Sequence, residues 1–113
     1  MVIDLPWPHK SLSPNARIHW APKAKLTASY RSECGWRARA QGVYPTDADR
    51  VRMTITFCPP DARRRDLDNL IGSTKAARDG LMDALGVDDS KFVVTYAIGD
   101  IVKGGAVRVE IEE

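Results

Sequence analysis

Four aspartates of this 113-residue chain stand at spacings where carboxylates could hold a metal ion. Asp66 and Asp68 are two residues apart, and Asp88 and Asp89 are adjacent. In an extended segment, residues i and i+2 point to the same side, which would bring the first two carboxylates together. Mg²⁺ prefers oxygen ligands and usually takes one or two carboxylates besides water and substrate phosphates. The spacing is therefore compatible with a magnesium site at Asp66 and Asp68, with the later pair supplying a third ligand.

Each of these aspartates also has an ordinary structural interpretation. Asp68 stands just before a predicted helix, where aspartate is a common N-cap. Asp88 and Asp89 lie in a predicted loop, where solvated aspartates are frequent. Spacing alone leaves both interpretations open. A calcium-binding EF-hand is excluded, because the sixth loop position counted from Asp66 is Ile71 rather than glycine.

Basic residues accompany the first pair of acids. Arg63, Arg64 and Arg65 immediately precede Asp66, and they could neutralise the phosphates that flank a scissile phosphodiester. A solvated charge run is the alternative. Residues 1–57 carry nine Lys/Arg and four Asp/Glu, a net +5, and residues 58–113 carry eight and eleven, a net −3. A basic first half beside an acidic cluster favours a polyanionic substrate.

Lys75 is a further candidate because it follows Asp68 by seven residues. On a continuous helix seven steps return to nearly the same face. Lys75 could then stabilise a pentacoordinate phosphate or the leaving oxygen. The alternative is a surface ion pair with Asp79, four residues further on. Geometry leaves the two interpretations open.

Composition excludes several classes of protein. The chain is 43% hydrophobic and 28% charged, as in ordinary globular domains. Its apolar runs are too short to span a membrane, and its first residues lack the pattern of a signal peptide, so a cytoplasmic location is expected. Cys34 and Cys58 are far apart and are expected to be reduced. With His9 and His19 equally isolated, no zinc site is predicted.

Hydrophobic periodicity predicts the elements that position these residues. The predicted order is β-α-β-α-β-β, with strands at 2–7, 51–57, 92–102 and 106–111 and helices at 23–41 and 70–85. Lys103-Gly104-Gly105 predicts a hairpin between the last two strands. We expect one domain over residues 1–113, of α/β (α+β) class, in which two helices pack on a mixed sheet.

The first predicted helix combines an apolar stripe with basic residues. Leu26, Tyr30, Cys34 and Ala38 follow one another at helical spacing. Basic residues on the same helix predict contacts with a DNA backbone, foremost Lys23, Lys25 and Arg31. Trp20 and Trp36 could stack on unpaired bases or pack in the core.

Several motifs occur together along nearly the whole chain. They are Leu5-Pro6-Trp7-Pro8, Pro14-Asn15, the run from Arg63 to Leu70 (RRRDLDNL), Lys75-Ala76-Ala77, Asp79-Gly80-Leu81 and Asp88-Asp89-Ser90. In this combination the sequence resembles the RusA family of Holliday-junction resolvases. One departure is visible: residues 71–74 place Lys75 about one helical turn further from Asp68 than in other members.

The resemblance implies a homodimeric α/β endonuclease that cuts four-way DNA junctions with Mg²⁺, for which Mn²⁺ is an expected substitute. By position in the motif, Asp66 and Asp68 correspond to the first two catalytic acids. Asp89 corresponds to the third, with Asp88 as the alternative ligand. Lys75 corresponds to the catalytic lysine.

Other functions stay open at this point. A nuclease of the same fold could prefer other branched DNA, and a member of the family could bind junctions without cutting them. A metal-dependent phosphatase or nucleotide-binding enzyme is disfavoured, because no phosphate-cradling glycine loop precedes a helix.

Overall fold

The computed structural model describes residues 1–14, 16 and 20–113. Within these described residues, four strands, three α-helices and two single-turn 3-10 helices follow one another. In order they are β1 Val2–Pro6, a 3-10 helix Lys10–Leu12, α1 Trp20–Ala40, β2 Val51–Cys58, α2 Leu67–Ser73, α3 Lys75–Leu85, a 3-10 helix Asp89–Lys91, β3 Phe92–Ile98 and β4 Ala106–Glu112. Asn15, His19 and the side chain of Trp20, which entered the predictions above, lie outside the described residues.

The four strands form one mixed sheet in the order β1-β4-β2-β3. β4 runs antiparallel to both β1 and β2, whereas β2 and β3 are parallel. The apolar residues that alternate along β2, among them Val51, Met53 and Phe57, are buried in the core. The residues between them belong to the sheet's open face, which is polar at Arg52 and Thr54. The predicted α+β class with a mixed sheet is confirmed.

The predicted hairpin between the last two strands is wrong. β3 ends at Ile98 and does not pair with β4, which lies on the other side of β2. Residues 99–105 carry the chain across the end of β2. Gly99 N donates to Phe57 O at 2.9 Å and Val102 N donates to Pro59 O at 2.9 Å. Gly104 and Gly105 do form a turn, with φ angles of 79° and 75°. This turn is part of the segment that crosses the end of β2 and does not connect two paired strands.

The first helix begins three residues earlier than predicted, at Trp20 instead of residue 23. Pro22 therefore lies in its first turn, where no helical N–H is required. The predicted stripe is confirmed, since Tyr30, Cys34 and Ala38 are buried. Both cysteines are unpaired and buried, and burial raises the pKa of the Cys34 thiol to about 12.

The helix predicted over 70–85 is two helices, separated at Thr74. Thr74 has φ −107° and ψ 9°, and its hydroxyl donates to Leu70 O at 2.8 Å. The backbone N–H of Thr74 donates to the same carbonyl at 3.1 Å, and a hydroxyl bond to the carbonyl four residues earlier bends helices. α3 packs on α1 at Gly80, where a Cβ would collide with Arg31 O and Gly35 N. It ends as predicted at Gly86, which adopts the left-handed conformation at φ 65°.

No helix in the part of the chain that the structure describes is long and apolar enough to cross a bilayer.

Candidate active site

Asp66 lies immediately before the first residue of α2, and Asp68 lies within the first turn of that helix. Asp66 has the extended backbone of an N-cap, φ −85° and ψ 134°, and its carbonyl accepts the first helical bond from Leu70 N at 3.1 Å. Asp68 is in the first turn of α2. The expected extended segment is therefore wrong for Asp68, and so is its interpretation as the N-cap. Both residues are exposed, and neither carboxylate makes a hydrogen bond or ion pair with the described residues.

A basic cleft opens beside Asp66, which we call the Asp66 cleft. Its volume is about 610 Å³. The walls come from the segment after β1, from the loop before α2 and from α2 itself: Trp7, Pro8, His9, Lys10, Ser13, Arg63, Arg64, Arg65, Asp66, Asn69, Leu70 and Ser73. Sequence analysis included the arginines and Asp66, but it missed Lys10 and His9. These two come from the first loop, and only the pairing of β1 with β4 brings that loop to this end of the sheet.

The three arginines before Asp66 are not equivalent. Arg65 is only 19% exposed, and its Nη1 lies 2.9 Å from Asp61 Oδ1. The same nitrogen donates to the carbonyls of Asp61 and Arg63 at 3.2 and 3.0 Å, and the guanidinium lies 5.6 Å from the centre of the Trp7 ring. Arg65 therefore holds the loop that leads to Asp66.

Arg63 and Arg64 are the arginines available to a substrate. The Arg63 side chain is 79% exposed and lies 3.9 Å from Asp61, at the limit of an ion pair. Arg64 is exposed and lines the cleft. The hydrogen bond from the Arg65 side chain, with a second from Arg63 N, lowers the pKa of the Asp61 carboxyl, so this loop stays internally paired near neutral pH.

Lys75 does not share a helix with Asp68. The break at Thr74 separates them, so the prediction based on a continuous helix is wrong. Lys75 Nζ instead lies 3.1 Å from Asp79 Oδ2, in the ion pair given above as the alternative. The Lys75 side chain is 65% exposed. Its assignment as the catalytic lysine stays a prediction.

Asp88 and Asp89 lie at the start of β3, in a different setting. Asp88 accepts a hydrogen bond from Ser90 Oγ at 2.6 Å, and this bond lowers the pKa of its carboxyl. Asp89 is 66% exposed, and its Oδ1 lies 4.0 Å from Arg78 Nε. Phe92, the first residue of β3, pairs with Val51, the first residue of β2. The loop to Asp66 leaves β2 from its other end, at Cys58.

Arg78 was not singled out by sequence analysis. Its side chain is 25% exposed, and Nη1 donates to the Tyr96 hydroxyl at 3.4 Å. Its Nε is buried without a hydrogen-bond partner among the described residues. Arg78 is thus the positive charge nearest to Asp89. An isolated arginine between alanine and aspartate carries no sequence signal that would have revealed this.

The basic residues of α1 are partly engaged by other parts of the chain. Arg31 makes a bidentate ion pair with Asp83, at 2.8 Å from both Nε and Nη2, and this bond lowers the pKa of the Asp83 carboxyl. Lys23 Nζ donates to Ser13 O at 3.2 Å. Lys25 and Trp36 are exposed. Of the three predicted DNA-binding residues of this helix, Lys25 is the most available.

The donor set suits a hard divalent cation at Asp66 and Asp68. Carboxylate oxygens are the ligands that Mg²⁺ takes, and one or two of them are commonly enough beside water and phosphate oxygens. Among residues 1–14, 16 and 20–113, no group of three or more His, Cys, Asp or Glu is placed to hold a metal ion. Asp88 and Asp89 are thus not brought together with the first pair, and their roles as ligands stay predictions.

A small α+β domain with an exposed carboxylate in a basic cleft and a second one two residues further on belongs to the class of proteins suited to a phosphodiester substrate. Residues 9–112 match the family described as endodeoxyribonuclease RusA. The chain therefore belongs to the RusA endodeoxyribonuclease family, a family of nucleases. It is also 40% identical over 105 residues to an uncharacterized protein of Xylella fastidiosa (strain Temecula1 / ATCC 700964), covering 89% of this chain and 68% of that protein.

Proposed function

We propose that this protein is a Mg²⁺-dependent endodeoxyribonuclease that resolves four-way DNA junctions by paired phosphodiester hydrolysis, as a homodimer. The observation that carries the proposal is the Asp66 cleft, in which the Asp66 carboxylate lies among the exposed cations Lys10, Arg63 and Arg64, with Asp68 two residues further on in the first turn of α2. Membership of the RusA family supports the substrate class.

The cations of the cleft bind the DNA backbone in this proposal. Arg63, Arg64 and Lys10 contact phosphates on both sides of the cut site, because they line the cleft and are exposed. Arg65 does not bind the scissile phosphate. It keeps loop 61–65 in the conformation that directs Asp66 into the cleft.

Asp66 and Asp68 hold the divalent cation, and Asp89 is the proposed third acid. When bound, Mg²⁺ lowers the pKa of a coordinated water and neutralises charge on the phosphate, and Mn²⁺ is expected to do the same. Lys75 would donate to the phosphate or to the leaving oxygen only after it leaves Asp79. The lysine of that ion pair is 65% exposed, so it can exchange Asp79 for a phosphate.

The test is cleavage of a synthetic four-way junction, with linear duplex and forked DNA as comparison substrates. We expect cutting that requires Mg²⁺ or Mn²⁺ and is fastest on the junction. Asp68→Asn run in parallel should bind the junction without cutting it. A folded, dimeric sample that fails to cut any of these substrates contradicts the proposal, and equal or faster cutting of forks changes the substrate class.

A junction-binding protein without nuclease activity is the second candidate. It is favoured by the position of Asp89 at the start of β3 and by the pairing of Lys75 with Asp79. If the wild type and Asp68→Asn bind junctions equally and neither cuts in Mg²⁺ or Mn²⁺, this function replaces the first.

A further inference from the structure

The two edges of the sheet differ in how their backbone is protected. At the β1 edge, Asp4 N donates to Gln41 Oε1 at 2.9 Å, and Gln41 Nε2 donates back to Asp4 O at 2.7 Å. The Tyr30 hydroxyl donates to Pro6 O at 2.7 Å, and Pro6 has no N–H to offer. Side chains of α1 and its C-terminal extension therefore close this edge to another strand.

The β3 edge has no such protection among the described residues. The seven residues Phe92–Ile98 include no charged residue and no proline, which are the usual guards of an edge strand. Val93 and Ile98 are 45% and 52% exposed. No hydrogen bond from a side chain of the described residues reaches the backbone of this strand. An edge of this kind is a template for pairing with another strand.

We propose that β3 pairs antiparallel with β3 of a second copy of this chain, so that the two sheets join into one of eight strands. This inference rests on the homodimer of the proposed function and gives that dimer an interface. A two-fold axis through Thr95 pairs the strand with itself along its whole length. Val93 then faces Ala97 on the open side of the sheet, and Val94 faces Tyr96 on the helix side, so apolar residues meet apolar residues on both faces.

The charges that flank β3 favour a second copy over an unrelated peptide. Lys91 precedes the strand and Asp100 follows it by two residues. In this register Lys91 lies opposite Gly99 and Asp100 lies opposite Ser90, so Lys91 of one copy is a diagonal neighbour of Asp100 of the other just beyond both ends of the strand pair. Lys91 also faces Asp88 of its own chain, and Asp100 has no ion pair among the described residues. A parallel arrangement would instead place like charges together.

Cysteine cross-linking tests the register directly. Residues opposite each other in an antiparallel pair have Cα atoms about 4.5–5.5 Å apart, which is within the range that a disulfide spans. We expect Thr95→Cys to form a covalent dimer under mild oxidation, whereas Val2→Cys, at the exposed end of the protected edge, should not. The native cysteines are buried and should not compete. A dimeric sample in which neither Thr95→Cys nor the double variant Val93→Cys/Ala97→Cys cross-links overturns the proposal.

Charge substitutions test the same interface in solution by analytical ultracentrifugation. Ala97→Lys should raise the dimer dissociation constant by at least about tenfold, because it places a lysine against Val93 of the second copy. The matched control, Val2→Lys, should leave it unchanged. Lys91→Glu and Asp100→Lys should each weaken the dimer, and the double variant should regain most of the loss. A dimer unaffected by Ala97→Lys, with a native circular dichroism spectrum, would contradict the interface.

The interface and the proposed nuclease can fail separately. A monomeric wild type that still cuts junctions overturns the interface and leaves the nuclease in place. A dimer that cross-links at position 95 but does not cut supports the interface and overturns the nuclease.

Discussion

The two acidic segments of this protein, residues 66–68 and 88–89, have similar composition but different surroundings. Asp66 lines a basic cleft and Asp68 follows it by two residues, and neither carboxylate has a hydrogen-bond or ion-pair partner among the described residues. Asp88 accepts from Ser90, and Asp89 faces Arg78 at 4.0 Å. The first pair can thus accept a cation without breaking an existing bond, whereas the second pair first has to exchange its partners.

This difference follows from what lies next to each segment. The loop before α2 has its own cation, Arg65, which pairs with Asp61 and so leaves the following aspartates free. In the turn before β3, Ser90 follows Asp88 by two residues, and its hydroxyl donates a hydrogen bond to the Asp88 carboxylate. In this molecule, the acids of the first segment are thus unpaired because another group satisfies the local turn.

The largest expected effect is on cleavage when the first pair is changed. Asp66→Asn or Asp68→Asn should reduce the cutting rate by about a thousandfold, because a metal supplies several kcal/mol of transition-state stabilisation. Junction affinity measured in Ca²⁺ should stay the same or rise, since one negative charge is removed from a basic cleft. A variant that cuts within about tenfold of wild type would show that the cation is held elsewhere.

Substitutions in residues 88–89 distinguish Asp89, the proposed metal ligand, from Asp88, which accepts a hydrogen bond within the turn. Asp89→Asn should reduce cutting by at least about tenfold, in the range seen when groups around a metal are altered. Asp88→Asn should stay close to the wild-type rate, because the amide oxygen can still accept from Ser90. Rates measured at saturating Mg²⁺ decide between them. The reverse order would make Asp88 the third ligand, and two unaffected variants would confine the active site to the first segment.

The fold was predictable where local sequence patterns determine it, and less predictable where contacts between distant segments determine which strands pair. The buried stripe of α1 and the C-cap at Gly86 follow from spacing and from glycine's conformational freedom. The position of β4 between β1 and β2 does not follow from any such local pattern. A glycine pair indicates a turn, but it does not indicate which strand the chain meets afterwards. That choice depends on which neighbour buries the apolar face of β4.

The candidate site was predictable in its residue types and less so in its assembly. Arginines next to an aspartate pair indicated a phosphodiester substrate, yet sequence could not show that Arg65 folds inward while Arg64 stays exposed. The break at Thr74 was also missed, because threonine is compatible with a helix interior and only its backbone angles, φ −107° and ψ 9°, mark the break. Lys10 entered the cleft from a distant loop.

Substitutions of Arg64 and Arg65 test whether Arg65 is the reason that the carboxylates of residues 66–68 are unpaired. Arg64→Ala should weaken junction binding and reduce the slope of log affinity against log salt by about 0.9, as for one phosphate contact. Arg65→Lys keeps the charge but loses the planar contact with Trp7 and the shared bonds to loop carbonyls. It should lower the cutting rate more than the affinity. A binding loss equal to that of Arg64→Ala would make Arg65 a phosphate contact instead.

The smallest expected effect is on the acid titration of the loop before α2. The Arg65 hydrogen bond holds the pKa of Asp61 below its usual value, which is about 3.9 in unfolded chains. The resulting stabilisation is complete above that value and is lost as the pH falls through the folded-state pKa, so neutral-pH cutting should not depend on it. Carboxyl carbon shifts measured by NMR should show the pKa of Asp61 rising in Arg65→Lys. The control Arg63→Lys should change it less, because the Arg63 side chain is 79% exposed and its backbone bond to Asp61 remains. An Asp61 titration that is identical in both variants would mean that Arg65 does not organise this loop, and the contrast between the two acidic segments would then need another cause.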